Sequence, residues 1–274
     1  MSNKYTEIFT AGCSFFERAY DHDLENSRTN KYNGKVDSPE FWYQHSFPKL
    51  LSDKLNLPLT NISKPGHSNS FIIRSAYDFI TNRDNDSPAV MVLGLTSIYR
   101  KELQAPKDNV YHPVTPTDHH IDHPNYLKYF SQYIEPEKFS HLIDNNYKYL
   151  FNTELALNEL IQQLNMLEAY ARVNRIKLIV FFSFFKTHSL HLSDKIFHPK
   201  NAFDYFNFGF SDQRVLAWTD FIDLYAPNHM GGHPFIYDNN VLANYMTSYI
   251  NNGKVERLIV NPKYYTAGLD LKFI

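Results

Sequence analysis

The chain has 274 residues, 43% apolar and 20% charged, which is enough for one large domain or two small ones with a buried core. Its 27 basic and 29 acidic side chains give a formal net charge of −2, which excludes a global field attracting nucleic acid or an acidic membrane. A single cysteine excludes an intramolecular disulfide, and the sequence has neither an apolar leader-like segment nor a membrane-length run, so we expect a cytoplasmic protein without membrane association.

The first strand is predicted at residues 5–10, where side chains alternate and β-branched and aromatic types are frequent. It runs into Gly12-Cys13-Ser14, where Gly12 permits a sharp exit. Ser14 would then lie at the carboxyl end of a strand, where open α/β sheets bind their ligands. The alternative is an ordinary turn, because glycine and serine are common in turns.

The next elements are predicted from caps and apolar runs. Ser38-Pro39-Glu40 has the form of a helix start, and the apolar pattern carries that helix to Leu55. A short strand at 57–62 ends at Lys64-Pro65-Gly66, and Ser68 or Asn69 caps the following helix. Residues 89–95 are almost wholly apolar, which is typical of a strand covered on both faces.

The second half contains two irregular segments. Residues from about 100 to 150 show no clear period and predict a lid or binding element. A helix capped near Asn152 or Thr153 and a buried strand at 177–182 follow, then a second insertion at about 188–212, a strand at 221–224 and a helix at about 239–250. The second insertion is aromatic, and we interpret it as an apolar anchor onto the body or a partner, with stacking on sugar rings as the alternative. Its aromatic residues are Phe203, Tyr205, Phe206, Phe208 and Phe210.

Strands alternating with helices form parallel βαβ units with right-handed crossovers. The sequence therefore predicts an α/β fold, a three-layer α/β/α sandwich around a mostly parallel, flavodoxin-like sheet. We predict one domain over residues 1–252 with insertions at about 100–150 and 188–212, and a C-terminal extension over 253–274.

Three further positions fall at the carboxyl ends of predicted strands: Gly66 after the second, Thr96 after the third and His233 after the last. With Ser14 first and His233-Pro234 last, this order resembles the SGNH/GDSL hydrolase superfamily. Gly12-Cys13-Ser14-Phe15 resembles the first block of a branch common in phage and bacterial proteins.

The resemblance implies an SGNH-hydrolase-like fold and a serine hydrolase site. Ser14 would be the nucleophile and His233 the general base, with His229 on the same predicted loop ranked second. The backbone N–H groups of Ser14 and Gly66 would form the oxyanion hole. The chemistry agrees, because a serine hydroxyl is a poor nucleophile near neutral pH unless a base removes its proton.

Two positions depart from the family pattern. Where the family has Gly-x-Asn-Asp, this chain has Gly94-Leu95-Thr96-Ser97, so the Thr96 hydroxyl is the predicted third oxyanion donor. The family aspartate two or three positions before the histidine is replaced by Gly231 and Met230. Asp223, or a backbone carbonyl, is then the candidate that orients His233.

Arg100 has two interpretations. Its guanidinium would position an anionic or polar group of the substrate, or it would pair with Glu102 as surface charges commonly do.

Cys13 and the histidine-rich run invite other chemistry. The Cys13 side chain should alternate away from that of Ser14, and free cysteines are usually buried, so we expect a structural thiol.

Imidazole and carboxylate groups at His112, His119, His120, Asp122 and His123 are zinc ligand types, but on an irregular loop they lack a helical ligand spacing. We therefore expect no metal and no cofactor.

The sequence thus favours a serine esterase acting on a small ester, with an O-acetyl group on a carbohydrate as one candidate. The rival is a catalytically impaired SGNH-type binding or structural protein, such as a component of a virion. A nucleotide site is disfavoured, because no glycine-rich phosphate loop is present. Homo-oligomers and association with a larger particle remain open as partners.

Overall fold

The computed structural model describes residues 4–17, 39–84, 86–104, 111–114, 126–183, 194–208, 217–219 and 236–253. A five-stranded sheet forms the centre of this part. Its strands are β1 (Glu7–Gly12), β2 (Leu59–Asn61), β3 (Ala89–Leu95), β6 (Ile176–Phe182) and β7 (Asp204–Tyr205). They lie in the order β2-β1-β3-β6-β7, and all their pairings are parallel. A two-stranded antiparallel hairpin is formed by β4 (Lys101–Gln104) and β5 (Tyr111–Val114).

Seven α-helices of the described chain accompany the strands. They are α1 (Ser14–Glu17), α2 (Pro39–Gln44), α3 (Phe47–Leu55), α4 (Asn69–Thr81), α5 (Pro136–Asn145), α6 (Thr153–Val173) and α7 (Ile236–Asn252). Single π-helical turns lie at Tyr126–Phe130 and Asn146–Leu150. No helix in the described ranges has both the length and the apolar character needed to cross a bilayer.

Helices cover both faces of the sheet, because the strand side chains alternate between two hydrophobic clusters. Val90 and Val92 of β3 point to the cluster that contains buried residues of α1, α3 and α7. Met91 and Leu93 point to the cluster formed with α4 and α6. All seven β3 residues are buried, as the apolar run predicts. These layers confirm the predicted α/β/α sandwich with a parallel sheet.

Two predicted helix starts are confirmed by side-chain caps. Ser68 accepts a hydrogen bond from the backbone N–H of Phe71 at 3.1 Å and caps α4. Asn152 accepts one from Leu155 at 2.9 Å and caps α6. These bonds fix where the helices that flank the sheet begin.

The single helix predicted from residue 38 to residue 55 is wrong. The structure has two helices, α2 and α3, separated by His45 and Ser46. Pro48 lies in the first turn of α3, where its missing N–H costs nothing, whereas inside a continuous helix it would remove a hydrogen bond. Proline therefore starts a second helix here.

The second predicted insertion supplies the edge of the sheet. Residues 204–205 form β7, which pairs with β6 through Ile179 and Val180. Phe203, Phe206 and Phe208 are buried in the two sheet clusters, so they are not a stacking surface for sugars. The interpretation as an anchor onto the body is confirmed for these three. Phe210 and the predicted strand at 221–224 lie outside the described residues.

The first predicted insertion is ordered over much of its length. It contains the hairpin of β4 and β5, the helix α5 and a hydrophobic cluster of its own. The buried members of this cluster are Val114, Tyr126, Phe130, Phe139 and Ile143. None of them belongs to either sheet cluster, so this segment is stabilised largely by local contacts.

Glu168 on α6 makes the stability of the fold depend on pH. Its side chain is half-buried, and within the described ranges its Oε2 atom meets no hydrogen-bond donor. Burial raises the pKa of Glu168 to about 7, opposed by the charge of Arg172 and aided by that of Asp204. Because the folded chain then binds the proton more tightly than the unfolded chain, stability falls as pH rises from about 4.5 through 7.

We expect Glu168→Gln to stabilise the protein by roughly 1 kcal/mol at pH 8, because the substitution removes a poorly solvated charge that solvent partly screens. At pH 4.5 the effect should be close to zero. Urea unfolding at both pH values measures the difference, with Glu159→Gln, an exposed carboxylate of the same helix, as the control. An equal effect at both pH values would contradict the assignment.

Candidate active site

Ser14 lies at the point where the direction of strand order reverses. β1 has β2 on one side and β3 on the other, and the chain reaches these neighbours in opposite directions across the sheet. Parallel α/β sheets bind ligands at such a point, outside the carboxyl ends of the strands. Ser14 begins α1 one residue beyond Cys13, so it occupies this position, and its side chain is 6% exposed.

Two glycines allow the Phe16 ring to pack against the sheet beneath Ser14. Gly12 and Gly94 are register partners on β1 and β3. A Cβ atom at Gly12 would lie 2.7 Å from Cγ of Phe16, and one at Gly94 would lie 2.0 Å from its Cε2. A glycine is therefore required at position 12 because the Phe16 ring approaches the backbone closely. It is not required for a left-handed backbone conformation, since φ of Gly12 is not positive.

Asn61 joins the end of β2 to the first strand and to α1. Its Oδ1 atom accepts hydrogen bonds from the Thr10 hydroxyl at 3.0 Å and the Ser63 N–H at 3.1 Å. Its amide nitrogen donates to the Phe16 carbonyl at 3.5 Å. The loop after β2 is thereby held next to the turn that carries Ser14.

Gly66 lies in this loop with φ of 80°, a left-handed conformation that favours glycine. The N–H of Lys64 donates to the Gly12 carbonyl at 3.3 Å and brings the loop to the end of β1. Within the described residues the Gly66 N–H donates to no acceptor. Its role as an oxyanion donor stays a prediction.

Thr96 follows β3 and is held by a side chain from another element. Asn69, the first residue of α4, accepts a hydrogen bond from the Thr96 N–H at 2.8 Å and donates one to the Thr96 carbonyl at 2.9 Å. The Thr96 side chain is fully buried. Its hydroxyl has no hydrogen-bond partner among the residues described, and its role as an oxyanion donor stays a prediction.

Buried polar atoms without a partner, counted over the described part of the chain, are frequent at this edge of the sheet. They follow β2, β3 and β6, and they are Ser63 Oγ, His67 Nδ1, Thr96 Oγ1, Arg100 Nη1 and Ser183 Oγ. Buried polar groups in native proteins are usually hydrogen-bonded, so such a group calls for an explanation. A polar ligand at the carboxyl edge would satisfy several of them at once.

Among the described residues, His67 is a histidine that lies at this edge. Its ring packs on that of Phe71, with centroids 3.6 Å apart. Burial, followed by the charges of Lys64, Arg74 and Arg100, lowers the pKa of His67 to about 4. A general base must carry a positive charge during the reaction, and this surrounding disfavours that charge. His67 is therefore poorly suited to the role that the resemblance gives His233.

Arg100 is not paired with Glu102. The Glu102 carboxylate accepts hydrogen bonds from Ser68 Oγ at 2.8 Å and from Arg74 Nη2 at 3.1 Å. Arg100 instead lines a cavity of about 510 Å³ between α4, the hairpin and the start of α6. Asn69 also lines this cavity, whereas Ser14 does not. The cavity thus adjoins the Thr96 turn and not the serine itself.

Three predicted site residues, His233, Asp223 and His229, lie outside the described residues, so their roles stay predictions. Cys13 is fully buried, in agreement with a structural thiol.

His112 is the described histidine of the histidine-rich segment, and its surroundings do not support a metal site. His112 is buried, with its ring 6.1 Å from that of Phe130 in an edge-on arrangement. His119, His120, Asp122 and His123 lie outside the described residues. Over the ranges described, no group of three or more potential ligands from His, Cys, Asp and Glu comes together.

Two residues of the site were missed by sequence reasoning. Asn69 was considered only as a helix cap, and His67 was not considered. The one available signal was their place directly after Gly66 at the end of a strand. The pairing of Asn69 with Thr96 spans 27 residues and depends on how α4 packs on the sheet.

The chain is similar to known proteins in structure and not in sequence. No family model matches the chain, and no curated protein matches it. Among solved structures, it is similar to a carbohydrate esterase, with 13% identity, a TM-score of 0.45 and coverage of 92% of this chain and 70% of that one. It is also similar to the esterase EstA from Pseudoalteromonas sp., with 10% identity, a TM-score of 0.44 and coverage of 90% and 98%.

A third similar structure belongs to the G-D-S-L family and comes from Desulfitobacterium hafniense DCB-2. It has 10% identity and a TM-score of 0.41, and the match covers 88% of this chain and 98% of that one. At such identities and scores these likenesses do not assign an activity to this chain.

Proposed function

We propose that the protein is a serine hydrolase of small esters, with Ser14 as nucleophile and His233 as general base. The observation that supports it most is the position of Ser14 after β1 at the reversal of strand order, with the loops of Gly66 and Thr96 on either side. A nucleophile and candidate oxyanion donors from three neighbouring strand ends are what acyl transfer requires.

The reaction runs in two steps. In the first, Ser14 Oγ attacks the ester carbonyl carbon while His233 takes the hydroxyl proton. The N–H groups of Ser14 and Gly66 and the Thr96 hydroxyl stabilise the oxyanion. His233 then gives its proton to the departing alcohol, which leaves an acyl-serine. In the second step water attacks this ester with His233 as base, and the carboxylic acid departs as Ser14 regains its proton.

Within this class, an O-acetyl group on a carbohydrate is the candidate that the family resemblance suggests. Such a substrate presents its acyl group at the edge of a polar body. Turnover of acetylated oligosaccharides, followed by release of acetate, tests this part of the proposal separately from ester hydrolysis.

Ser14→Ala should lower kcat for 4-nitrophenyl acetate by at least about 10³-fold, because the acyl-enzyme can no longer form. The variant should keep its thermal unfolding midpoint, since the substitution removes one oxygen atom. Ser131→Ala, at an exposed turn, is the matched control and should leave kcat unchanged. Retained turnover by Ser14→Ala would overturn the mechanism.

A fluorophosphonate probe separates this proposal from the binding or structural alternative. That alternative is favoured by two departures from the SGNH pattern: Thr96 stands where the family has asparagine, and Met230 and Gly231 stand where it has the aspartate before the histidine. Labelling that maps to Ser14 supports the hydrolase. If folded protein gives no labelling, the binding function is the better conclusion.

A further inference from the structure

We propose that the cavity beside Thr96 binds the carboxylate of an anionic ester substrate, with Arg100 as the main contact. This inference rests on the proposed ester hydrolysis, and for the same site it favours an anionic aromatic ester over the acetylated carbohydrate as the substrate. It places the part of the substrate that lies away from the reacting ester in a cavity to which the proposed reaction steps assign no role.

Three cationic side chains line the cavity. Arg74, Arg100 and Lys101 line it, together with the carboxylates of Glu102 and Glu159. Glu102 is occupied by Arg74 and Ser68, and Glu159 is exposed, so solvent screens its charge. The positive charges of Arg100 and Lys101 are therefore left without a matching anion in the described part of the chain.

Arg100 is the strongest of these contacts. Its Nη1 atom is buried and, within the described ranges, has no acceptor. A guanidinium presents a planar pair of donors that matches a carboxylate, and such charged hydrogen bonds are stronger than neutral ones. Burial is the main cause of the low pKa of His67, and the nearby charges of Lys64, Arg74 and Arg100 lower it further.

Apolar and aromatic side chains also line the cavity. They include Phe151, Leu155 and Ala156 at the start of α6 and Tyr111 of the hairpin. The Lys101 ammonium lies 5.0 Å from the centroid of the Phe151 ring. The cavity therefore suits an organic anion with a flat apolar body better than a small inorganic anion.

Asn69 connects the cavity with the reacting centre. It lines the cavity and makes both backbone hydrogen bonds of Thr96, the predicted oxyanion donor. An ester whose carbonyl is bound at Thr96 can thus extend its other half past Asn69 towards Arg100.

Two matched esters test the proposal. 4-Acetoxybenzoate carries a carboxylate on its leaving group, and methyl 4-acetoxybenzoate has the same body without the charge. We expect wild-type protein to have the higher kcat/KM for the charged ester. Arg100→Gln should reduce this value by about 10- to 100-fold through KM, with less than about a threefold change for the neutral ester.

The control is Arg172→Gln, which removes the same charge from an exposed position near the other end of α6, about 25 Å along the helix from Leu155. It should leave both esters unaffected. If Arg100→Gln does not fold, Lys101→Gln tests another of the three cationic side chains and should weaken the charged ester selectively. Equal losses for both esters, or no loss for either, would overturn the proposal.

A binding measurement keeps this inference separate from the proposed function. 4-Acetamidobenzoate is an amide of the same shape that an esterase turns over slowly, so calorimetry can follow its binding to wild type and Arg100→Gln. Binding that depends on Arg100 supports the carboxylate site even if neither ester is hydrolysed, in which case only the hydrolase proposal fails. No binding by wild type counts against the site, even where both esters are hydrolysed.

Discussion

Gly94→Ala is expected to destabilise the protein by roughly 3 kcal/mol and to lower Tm by about 6–12 °C. The added methyl group would lie 2.0 Å from Cε2 of Phe16. That ring cannot move aside easily, because its centroid lies 5.0 Å from that of Phe47 and 5.5 Å from that of Phe181. Displacing Phe16 also displaces the short helix that begins at Ser14, so esterase activity should fall with stability.

A double-mutant cycle checks the cause. Phe16→Leu removes much of the ring, so adding Gly94→Ala to it should cost clearly less than adding Gly94→Ala to the wild type. Thermal unfolding of the four proteins gives the coupling energy. Simple additivity would mean that Phe16 is not the obstacle, and the account of the two facing glycines would then be wrong.

Asn69→Ala should cost about 2–4 kcal/mol in stability and most of the catalytic activity. It leaves both the N–H and the carbonyl of Thr96 without their partner in a fully buried place, and each such loss costs about 1–3 kcal/mol. The Thr96 hydroxyl then loses its fixed position beside β3. Because oxyanion donors act only when correctly placed, kcat should fall more than KM rises.

Asn69→Asp separates the two hydrogen bonds. A carboxylate can still accept from the Thr96 N–H but cannot donate to the Thr96 carbonyl. At neutral pH the stability of Asn69→Asp should therefore lie between those of wild type and Asn69→Ala, or below both. The loss should shrink in acid, because a protonated carboxyl group can donate again. Chemical denaturation at several pH values measures this. An Asn69→Ala variant with wild-type kcat would show that Thr96 needs no such support.

Local signals made much of the sheet predictable. β3 and β6 are short, almost wholly apolar runs, and Ser68 and Asn152 are recognisable caps of the helices that cover the sheet. Their order along the chain was enough to predict parallel pairing, and with it the place of Ser14 at a strand end.

What escaped prediction depends on contacts distant in sequence. β7 has only two residues, too few for a strand pattern in the sequence, although the aromatic residues beside it were correctly predicted to pack onto the body. The break between α2 and α3 required weighting Pro48 above a continuing apolar pattern. In the site, one of the two interpretations of Arg100 paired it with Glu102, its neighbour in sequence, whereas Arg74 reaches Glu102 from α4.

The cavity is lined by two parts of the fold that pack in separate hydrophobic clusters. Tyr111 lies on the hairpin, whose Val114 belongs to the cluster of the first insertion, whereas Leu160 belongs to a cluster of the sheet. Since the cluster of the insertion is the smaller one, its local opening should break fewer apolar contacts than opening of the core. We therefore expect the hairpin side of the cavity to adjust to a ligand more readily than the strand ends that carry Ser14 and Thr96.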